Sequence, residues 1–251
     1  MIKTEEIKSL VKSVKVMEYS GHIRNWQALC QALNISQSLE RTAREEAILI
    51  AAYKAWGHQM ADYLHGMFAF ALYDENEEEL FCLRDHFGTK PFYYYVTKDN
   101  RLLYGTQIRD IMAQKGFEKE LNQDLLQIYL SLTYVPGTDT FFKGIKKLLP
   151  GHYLTFKEGK IQIVRYWKPE FKPDRQLSLE DYANEIHETL KEIMPETKAE
   201  DETVESFLSG GVDSSYVLAM SQAQVSNSCG YDEARFDESG LAKQTAGLLG
   251  K

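Results

Sequence analysis

The stretch of this sequence best suited to chemistry is a glycine-containing string in its last quarter. Residues 204–217 read Val-Glu-Ser-Phe-Leu-Ser-Gly-Gly-Val-Asp-Ser-Ser-Tyr-Val. The pattern predicts a strand over 204–208, a sharp turn at Gly210 and Gly211, and a helix from Ser214 onward. Successive N–H groups of such a turn point into one concavity at a helix N-terminus, where an anion is favoured by hydrogen bonds and by the helix dipole. The predicted hydroxyl donors to that anion are Ser209, Ser214 and Ser215.

Asp213 distinguishes this string from a simple anion cradle. A carboxylate beside an anion is unfavourable unless it holds a cation or a helix N–H, so Asp213 suggests a polyphosphate bridged by Mg²⁺. The glycines are not followed by a lysine, which excludes a Walker A loop. A capped helix preceded by turn glycines is the alternative interpretation. The full string directly after a strand favours the phosphate site.

The residues before this string predict a layered α+β domain over residues 1–166. Apolar residues at helical spacing predict helices at 7–14, 25–33 and 44–56. The run Gly-Met-Phe-Ala-Phe-Ala-Leu-Tyr-Asp at 66–74 predicts a strand buried on both faces. Further strands are predicted at 15–19, at 80–83, in the aromatic run that ends at Tyr95, and at 102–104, 153–156 and 161–164.

A domain boundary is predicted at residues 167–177. Pro169 and Pro173 disfavour regular structure there, and charged residues separate them. A new helix is predicted from Ser178, with Asp181 as a first-turn acid. Residues 178–251 would then form a second domain that contains the glycine string.

Composition narrows the class of protein. Among 251 residues, 43% are hydrophobic and 12% aromatic, which is enough for a packed core and argues against disorder. The net charge of −8 argues against a nucleic-acid or membrane-surface binder. Three widely spaced cysteines exclude a disulfide framework, and the sequence predicts no metal site of zinc type. With neither a secretory signal nor an apolar membrane span, a cytoplasmic location is expected.

Several motifs together resemble one family. Residues 208–215 resemble the pyrophosphate-binding loop of the N-type ATP pyrophosphatases, also called the PP-loop. Residues 66–74 and 84–94 resemble the glutaminase domain of the glutamine-hydrolysing asparagine synthases. Three more segments resemble the stretch that leads into the synthetase domain of that family, namely residues 130–137, 140–144 and 147–154.

By this resemblance the chain is identified as a member of that family, a class II glutamine amidotransferase joined to a PP-loop domain. The resemblance implies an α+β fold of the N-terminal-nucleophile type, with layered sheets and helices outside, over 1–166. After the linker 167–177, it implies the start of an α/β nucleotide-binding domain over 178–251.

The resemblance also implies a reaction. The side-chain carboxylate of aspartate would attack the α-phosphate of ATP, with Mg²⁺ bridging the phosphates, to give β-aspartyl-AMP and pyrophosphate. Ammonia from glutamine would then displace AMP and yield asparagine. The implied nucleotide contacts are Leu208, Ser209, Gly210, Gly211, Asp213, Ser214 and Ser215, with Cys229 by a weaker match. The expected small-molecule partners are ATP, aspartate and either glutamine or ammonia. The expected assembly is a homodimer, and neither nucleic acid nor a membrane is expected as a partner.

The first half departs from the family pattern at its chemical positions. The family's nucleophile is an N-terminal cysteine, whereas Met1 is followed here by Ile2, and Cys30 is expected to be buried packing. The glutamine-holding segment Asn-Gly-Glu-Ile-Tyr-Asn stands here as residues 20–25, Ser-Gly-His-Ile-Arg-Asn, which keep Gly21, Ile23 and Asn25. Arg44 falls where the family has its glutamine-binding aspartate, with Glu46 two places on. A glutaminase half that is truncated and chemically silent is therefore expected, with no catalytic residue assigned.

Three functional interpretations follow. The stretch after Ser215 is too short to complete a doubly wound domain, so the chain is expected to be incomplete at both ends. An asparagine-synthase-type amidoligase is the first interpretation. An ammonia-dependent or β-lactam-synthetase-like amidoligase is the second, and a non-catalytic nucleotide-binding remnant is the third.

Overall fold

A computed structural model describes residues 14–173, 176–194 and 204–251. The chain divides into two compact units, with the division between Glu170 and Phe171. This division falls inside the predicted linker 167–177, although the domain assignment itself stays a prediction. Within the described ranges, no helix is long and apolar enough to cross a membrane.

The first unit is built on two antiparallel sheets. A five-stranded sheet has the order β1-β2-β3-β7-β8, and a three-stranded sheet has the order β5-β4-β6. The strands are β1 (Val14–Ile23), β2 (Gly66–Asp74), β3 (Glu79–Arg84), β4 (Tyr93–Val96), β5 (Leu102–Gly105), β6 (Lys146–Lys147), β7 (His152–Lys157) and β8 (Lys160–Arg165). The helices are α1 (Trp26–Ala32), α2 (Arg41–Trp56), α3 (Ile108–Met112) and α4 (Asp124–Leu132), with a 3-10 helix at Gly57–Asp62.

Strand β2 is the centre of this layered arrangement. Its alternate residues Phe68, Phe70 and Leu72 pack into the cluster that holds α1 and α2. The residues between them, Ala69 and Ala71, pack into a cluster with residues of the second sheet. All five side chains are fully buried. The prediction of a strand buried on both faces is confirmed, because helices cover one face of the sheet and a second sheet covers the other.

Two predictions for the first unit differ from the structure. Val14, the last residue of the predicted helix 7–14, begins β1, and the rest of that helix lies outside the described residues. The sequence analysis also missed α3 and α4. Both are short, with five and nine residues, and this length gives weak helical periodicity.

The second unit contains a parallel pair of strands with helices around it. Strands β9 (Glu205–Phe207) and β10 (Val225–Asn227) pair in parallel, and the helices are α5 (Leu179–Ile193), α6 (Val212–Met220) and α7 (Ser239–Leu249). The helix predicted from Ser178 is confirmed. The Ser178 hydroxyl accepts from the Asp181 N–H at 3.1 Å and Asp181 accepts in return from the Ser178 N–H at 2.8 Å, which forms a capping box.

Candidate functional site

The predicted loop joins β9 to α6 as the sequence analysis expected. Leu208 follows the strand and is buried, and the helix begins at Val212 with Gly211 as its N-cap. The helix therefore starts two residues earlier than predicted. Leu208 is fixed to the neighbouring strand because its N–H donates to the Asn227 carbonyl at 2.9 Å. The Ser228 hydroxyl also donates to the Leu208 carbonyl, at 2.6 Å.

The serines of the loop bind one another and the loop backbone. The Ser209 and Ser214 hydroxyl oxygens lie 3.0 Å apart, and the Ser209 N–H donates to the Ser214 hydroxyl at 3.2 Å. The Gly211 carbonyl accepts from the hydroxyls of Ser214, at 3.1 Å, and Ser215, at 2.8 Å. These contacts close the loop into a compact turn without using the N–H groups of the first helical turn.

Gly210 is required by the conformation of this turn. Its φ is +85°, in the region that favours glycine, and a Cβ there would lie 3.1 Å from the Ala242 nitrogen. Gly211 differs, because its φ is −73° and the nearest atom to a Cβ would be the Ser209 Oγ at 3.5 Å. The two adjacent glycines therefore have different structural roles. Gly210 is needed for backbone shape, whereas Gly211 leaves open space at the helix start.

The first turn of α6 carries partial positive charge. The N–H groups of its first turn, Val212 to Ser214, have no carbonyl partner within the helix, and the helix dipole adds partial positive charge there. Asp213 lies in this same turn. Within the part of the chain that the structure describes, no group of three or more histidine, cysteine or acidic residues could hold a metal ion.

A cavity of about 280 Å³ lies beside the loop, between the ends of β9 and β10 and the start of α7. It brings together three of the predicted site residues, Leu208, Ser209 and Cys229. The remaining predicted residues, 210, 211 and 213–215, lie in the adjoining turn and do not line the cavity. The sequence analysis did not assign the other lining residues, which are Phe207, Asn227, Ser228, Tyr231, Phe236, Glu238, Ser239 and Ala242.

The far wall of the cavity is ordered by Asp237. Its carboxylate accepts from the Ser239 N–H at 3.1 Å, from the Ser239 hydroxyl at 2.9 Å and from the Tyr231 N–H at 3.4 Å. The Ser239 hydrogen bonds, above all, hold the pKa of the Asp237 carboxyl below its usual value. The only signal for this wall in the sequence is the run Phe-Asp-Glu-Ser at 236–239, a polar turn just before a helix.

In the first unit, the residues that match the glutamine-holding segment have structural contacts. Gly21 has a φ of +135°, and a Cβ on it would lie 2.0 Å from the Met67 carbonyl oxygen, so the close approach of β1 and β2 requires glycine. The Asn25 side chain donates to the Tyr63 carbonyl at 2.8 Å and accepts from the His65 N–H at 3.0 Å. Packing and turn formation thus account for both residues.

The structure identifies Glu45, rather than Arg44 or Glu46, as the charged residue facing β1. Arg44 is buried against Trp26, with its guanidinium carbon 3.7 Å from the ring centroid, and Glu46 is exposed. Glu45 is buried, and the sequence analysis missed it. On a helix, adjacent residues point about 100° apart, so only the packing of the helix decides which of residues 44–46 faces the sheet.

The Glu45 carboxylate is already occupied by groups of its own chain. It accepts from the His22 Nδ1 at 2.7 Å, the Tyr19 hydroxyl at 2.8 Å and the buried Ile23 N–H at 3.0 Å. Burial acts to raise the pKa of Glu45, but these hydrogen bonds outweigh it and hold the pKa below its usual value. Burial, followed by the Glu45 charge, raises the pKa of the Tyr19 hydroxyl. This network joins β1 to α2.

The cysteines of the first unit are not arranged as nucleophiles. Cys30 and Cys82 are both buried, as expected for Cys30, and burial raises the pKa of each thiol. The exposed cysteine is Cys229, in the second unit.

Comparison with known proteins identifies the family. A sequence profile described as "Glutamine amidotransferase domain" matches residues 8–167, and one described as "Asparagine synthase" matches residues 185–251. The chain therefore belongs to the glutamine amidotransferase family, with an asparagine synthase region joined to it. The predicted fold class, an α+β glutaminase-type domain followed by the start of a nucleotide-binding α/β domain, is confirmed.

Curated relatives include enzymes with different names. Asparagine synthetase [glutamine-hydrolyzing] 1 of Bacillus subtilis (strain 168) is 30% identical over 237 residues, which cover 92% of this chain and 37% of that protein. Amidase chry2 of Gibberella zeae is 35% identical over 227 residues, which cover 81% of this chain and 33% of that protein. The chain thus spans about a third of the length of these relatives.

Among solved structures, a glutamine phosphoribosylpyrophosphate amidotransferase of B. subtilis, complexed with ADP and GMP, aligns with a TM-score of 0.41 at 13% identity. The alignment covers 86% of this chain and 46% of that chain. A likeness of this size carries no functional weight.

Proposed function

We propose that the second unit binds ATP·Mg²⁺ and that the chain forms part of an asparagine-synthase-type amidoligase. The observation that carries the proposal is the cavity beside the 208–215 loop. It lies next to a glycine turn and a helix N-terminus, and its lining is partly apolar and aromatic. Apolar walls with a few polar groups suit a purine, and the helix start suits the phosphates.

Each loop residue has a role in this proposal. The first-turn N–H groups of α6 and the hydroxyls of Ser209, Ser214 and Ser215 would donate to the pyrophosphate oxygens. Asp213 would supply one carboxylate ligand to a Mg²⁺ held mainly by the phosphates. Leu208 and Cys229, which line the cavity, would contact the nucleoside. Gly210 and Gly211 would allow the phosphates to approach the backbone closely.

The proposed reaction has two steps. A side-chain carboxylate oxygen of aspartate attacks the α-phosphorus, the bond to the bridging oxygen of pyrophosphate breaks, and β-aspartyl-AMP forms. Ammonia then attacks the activated carbonyl carbon, AMP leaves with the electron pair, and asparagine results after loss of a proton. The loop residues contribute by orientation and by neutralising the charge of the leaving pyrophosphate.

The amine donor is glutamine in the first form of this proposal and free ammonia in the second. Ammonia is favoured by one observation on the described part of the first unit. The Glu45 carboxylate is occupied by Tyr19, His22 and Ile23. A β-lactam-synthetase-like enzyme would use the same adenylation with an internal amine.

The remaining expectations belong to the same proposal. We place the domains at 1–166 and 178–251 with the linker 167–177 between them, and the protein in the cytoplasm. Its proposed small-molecule partners are ATP, aspartate and an amine donor. The proposed assembly is a homodimer, and neither nucleic acid nor a membrane is proposed as a ligand.

Calorimetry with ATP·Mg²⁺ on the purified 251-residue chain tests the proposal. We expect saturable binding that is lost in Gly210→Val, because that side chain would meet the backbone of α7, and weakened in Asp213→Ala only when Mg²⁺ is present. Release of pyrophosphate with aspartate, supplied with ammonium or with glutamine, then distinguishes the two amine donors. A folded chain that binds no ATP·Mg²⁺ would overturn the proposal and favour the non-catalytic remnant.

A further inference from the structure

The cavity beside the 208–215 loop has an aromatic wall on its far side. Tyr231 and Phe236 line the cavity there, in the segment that runs from the end of β10 to the start of α7. Tyr231 is 62% exposed and Phe236 is 57% exposed. The buried core of the second unit is formed by other residues, which are Leu208, Leu218, Ala223 and Ala242. More than half of each aromatic side chain is therefore available to a ligand.

The size of the cavity suits a base rather than a whole nucleotide. Its volume of about 280 Å³ lies just below the range of about 300–1,000 Å³ that is typical of small-molecule pockets. Residues 210, 211 and 213–215, which the proposed function assigns to the phosphates, do not line the cavity. The geometry therefore divides the proposed nucleotide site into a base part, which has the aromatic wall, and a phosphate part, which has the glycine turn.

Asp237 joins the two ends of the segment that carries the aromatic wall. Its Oδ1 accepts from the Tyr231 N–H at 3.4 Å and from the Ser239 N–H at 3.1 Å. Its Oδ2 accepts from the Ser239 hydroxyl at 2.9 Å. The Gly230 backbone lies against the same carboxylate, because a Cβ on Gly230 would be 3.6 Å from the Asp237 Oδ1. One carboxylate thus fixes the backbone on both sides of Phe236.

We propose that Asp237 is a positioning residue for the nucleotide base. It holds Tyr231 and Phe236 as a stacking wall and thereby makes the site select purine over pyrimidine nucleotides. This inference rests on the proposed function. A base stacked on an aromatic side chain typically gains about ten-fold in affinity. A purine covers more of such a wall than a pyrimidine does, because it has two fused rings. Loss of the Asp237 carboxylate would release the wall but leave the glycine turn and its hydroxyl groups in place.

Calorimetry on the purified 251-residue chain tests the inference with three probes, each with Mg²⁺: ATP, CTP and inorganic tripolyphosphate, which has no base. We expect wild type to bind ATP at least about five-fold more tightly than CTP. Asp237→Ala should lower ATP affinity about ten-fold, bring the ratio of ATP to CTP affinity towards one, and change tripolyphosphate affinity by less than about two-fold. Asp237→Asn should keep the wild-type ratio, since an amide oxygen can still accept from both N–H groups.

Asp232→Ala is the matched control. Asp232 is an exposed acid of the same segment that does not line the cavity, so its loss removes one charge there without releasing the wall. The affinities for all three probes should stay within about two-fold of wild type. A second pair of variants covers the case in which Asp237→Ala does not fold. Tyr231→Leu should lose the preference for ATP over CTP, whereas Tyr231→Phe should keep it.

The outcomes separate this inference from the proposed function. Equal affinity of wild type for ATP and CTP would overturn the inference alone, as would an unchanged ratio in Asp237→Ala or equal ratios in the two Tyr231 variants. A parallel fall of ATP and tripolyphosphate affinity in Asp237→Ala would also overturn it, because Asp237 would then act through the general stability of α7. A folded wild-type chain that binds neither ATP nor tripolyphosphate would overturn the proposed function, and the inference with it.

Discussion

Replacement of Gly210 by alanine tests whether backbone shape, rather than sequence pattern, explains the loop. Gly210 has a φ of +85°, where an L-residue is strained by about 1–2 kcal/mol. The added Cβ would also press on the Ala242 nitrogen at 3.1 Å and on the Leu241 Cβ at 3.2 Å. The first of these atoms belongs to the backbone of α7 and cannot rotate away.

Gly211→Ala is the matched control. Its φ of −73° is ordinary for alanine, and its new methyl group would make only a normal contact with the Ser209 Oγ at 3.5 Å. Both substitutions reduce the freedom of the unfolded chain and thereby favour the folded loop by about 0.4–1 kcal/mol. At Gly210 the strain outweighs this gain. The two variants should therefore differ by about 1–2 kcal/mol, roughly a ten-fold difference in the opening equilibrium of the loop.

Hydrogen exchange measures this opening without relying on any ligand. In Gly210→Ala, the amides at the start of α6 and at Ala242 should exchange about ten-fold faster than in Gly211→Ala, with amides of the first unit unchanged. Equal exchange in the two variants would show that the positive φ and the contact with Ala242 do not determine the loop. Under the proposed function ATP would bind the formed loop alone, so the ATP affinity of Gly210→Ala should fall only by the factor by which the population of the formed loop falls.

Further predictions concern the first unit and the cap of α5. Glu45→Ala should lower the free energy of unfolding by about 2–3 kcal/mol because the buried Ile23 N–H loses its acceptor, whereas Glu45→Gln should cost about 1 kcal/mol since an amide oxygen can still accept; equal costs in urea unfolding would contradict this. The lowered pKa of Glu45 means that its charged form stabilises the fold above about pH 4.3 and loses this contribution as pH falls through the lowered value. Wild type and Glu45→Gln should therefore converge in stability towards acid, and a constant difference from pH 7 to pH 3 would refute the assignment. Gly21→Ala should lower the unfolding free energy by about 3 kcal/mol, because a Cβ would lie 2.0 Å from the Met67 carbonyl oxygen; an unchanged thermal midpoint would show that β1 and β2 can separate there. Ser178→Ala should speed amide exchange in the first turn of α5 about five-fold, while Ser178→Asp keeps the cap; equal exchange in both variants would exclude the cap.

The site was predictable where its residues are neighbours in sequence. The strand, the glycine turn and the helix of residues 204–217 depend on local backbone preferences, and the structure forms all three. The predicted start of the helix, Ser214, lies two residues after the observed start, because Val212 and Asp213 give no strong signal for where the first turn begins. The opposite wall of the cavity was not predictable in the same way. Tyr231 and Phe236 come to the loop only when β10 pairs with β9.

The buried acid of the first unit shows the same limit. Three consecutive charged residues stand at 44–46, and the sequence alone does not say which one faces the sheet. The packing of α2 against β1 places Glu45 on the hydrogen-bond donors of β1 and Arg44 on Trp26.

Beyond the fold class, which followed from the resemblance of several motifs to one family, the sequence by itself determined the doubly buried strand β2, the cap of α5, and the strand, turn and helix of residues 204–217. Each of these depends on residues within a few positions of one another, where steric preference and hydrogen bonding act locally. Only the tertiary structure decided which residues line the cavity and which acid of α2 is buried. These features are set by contacts between residues far apart in sequence, because burial is a property of the packed chain and not of any one segment.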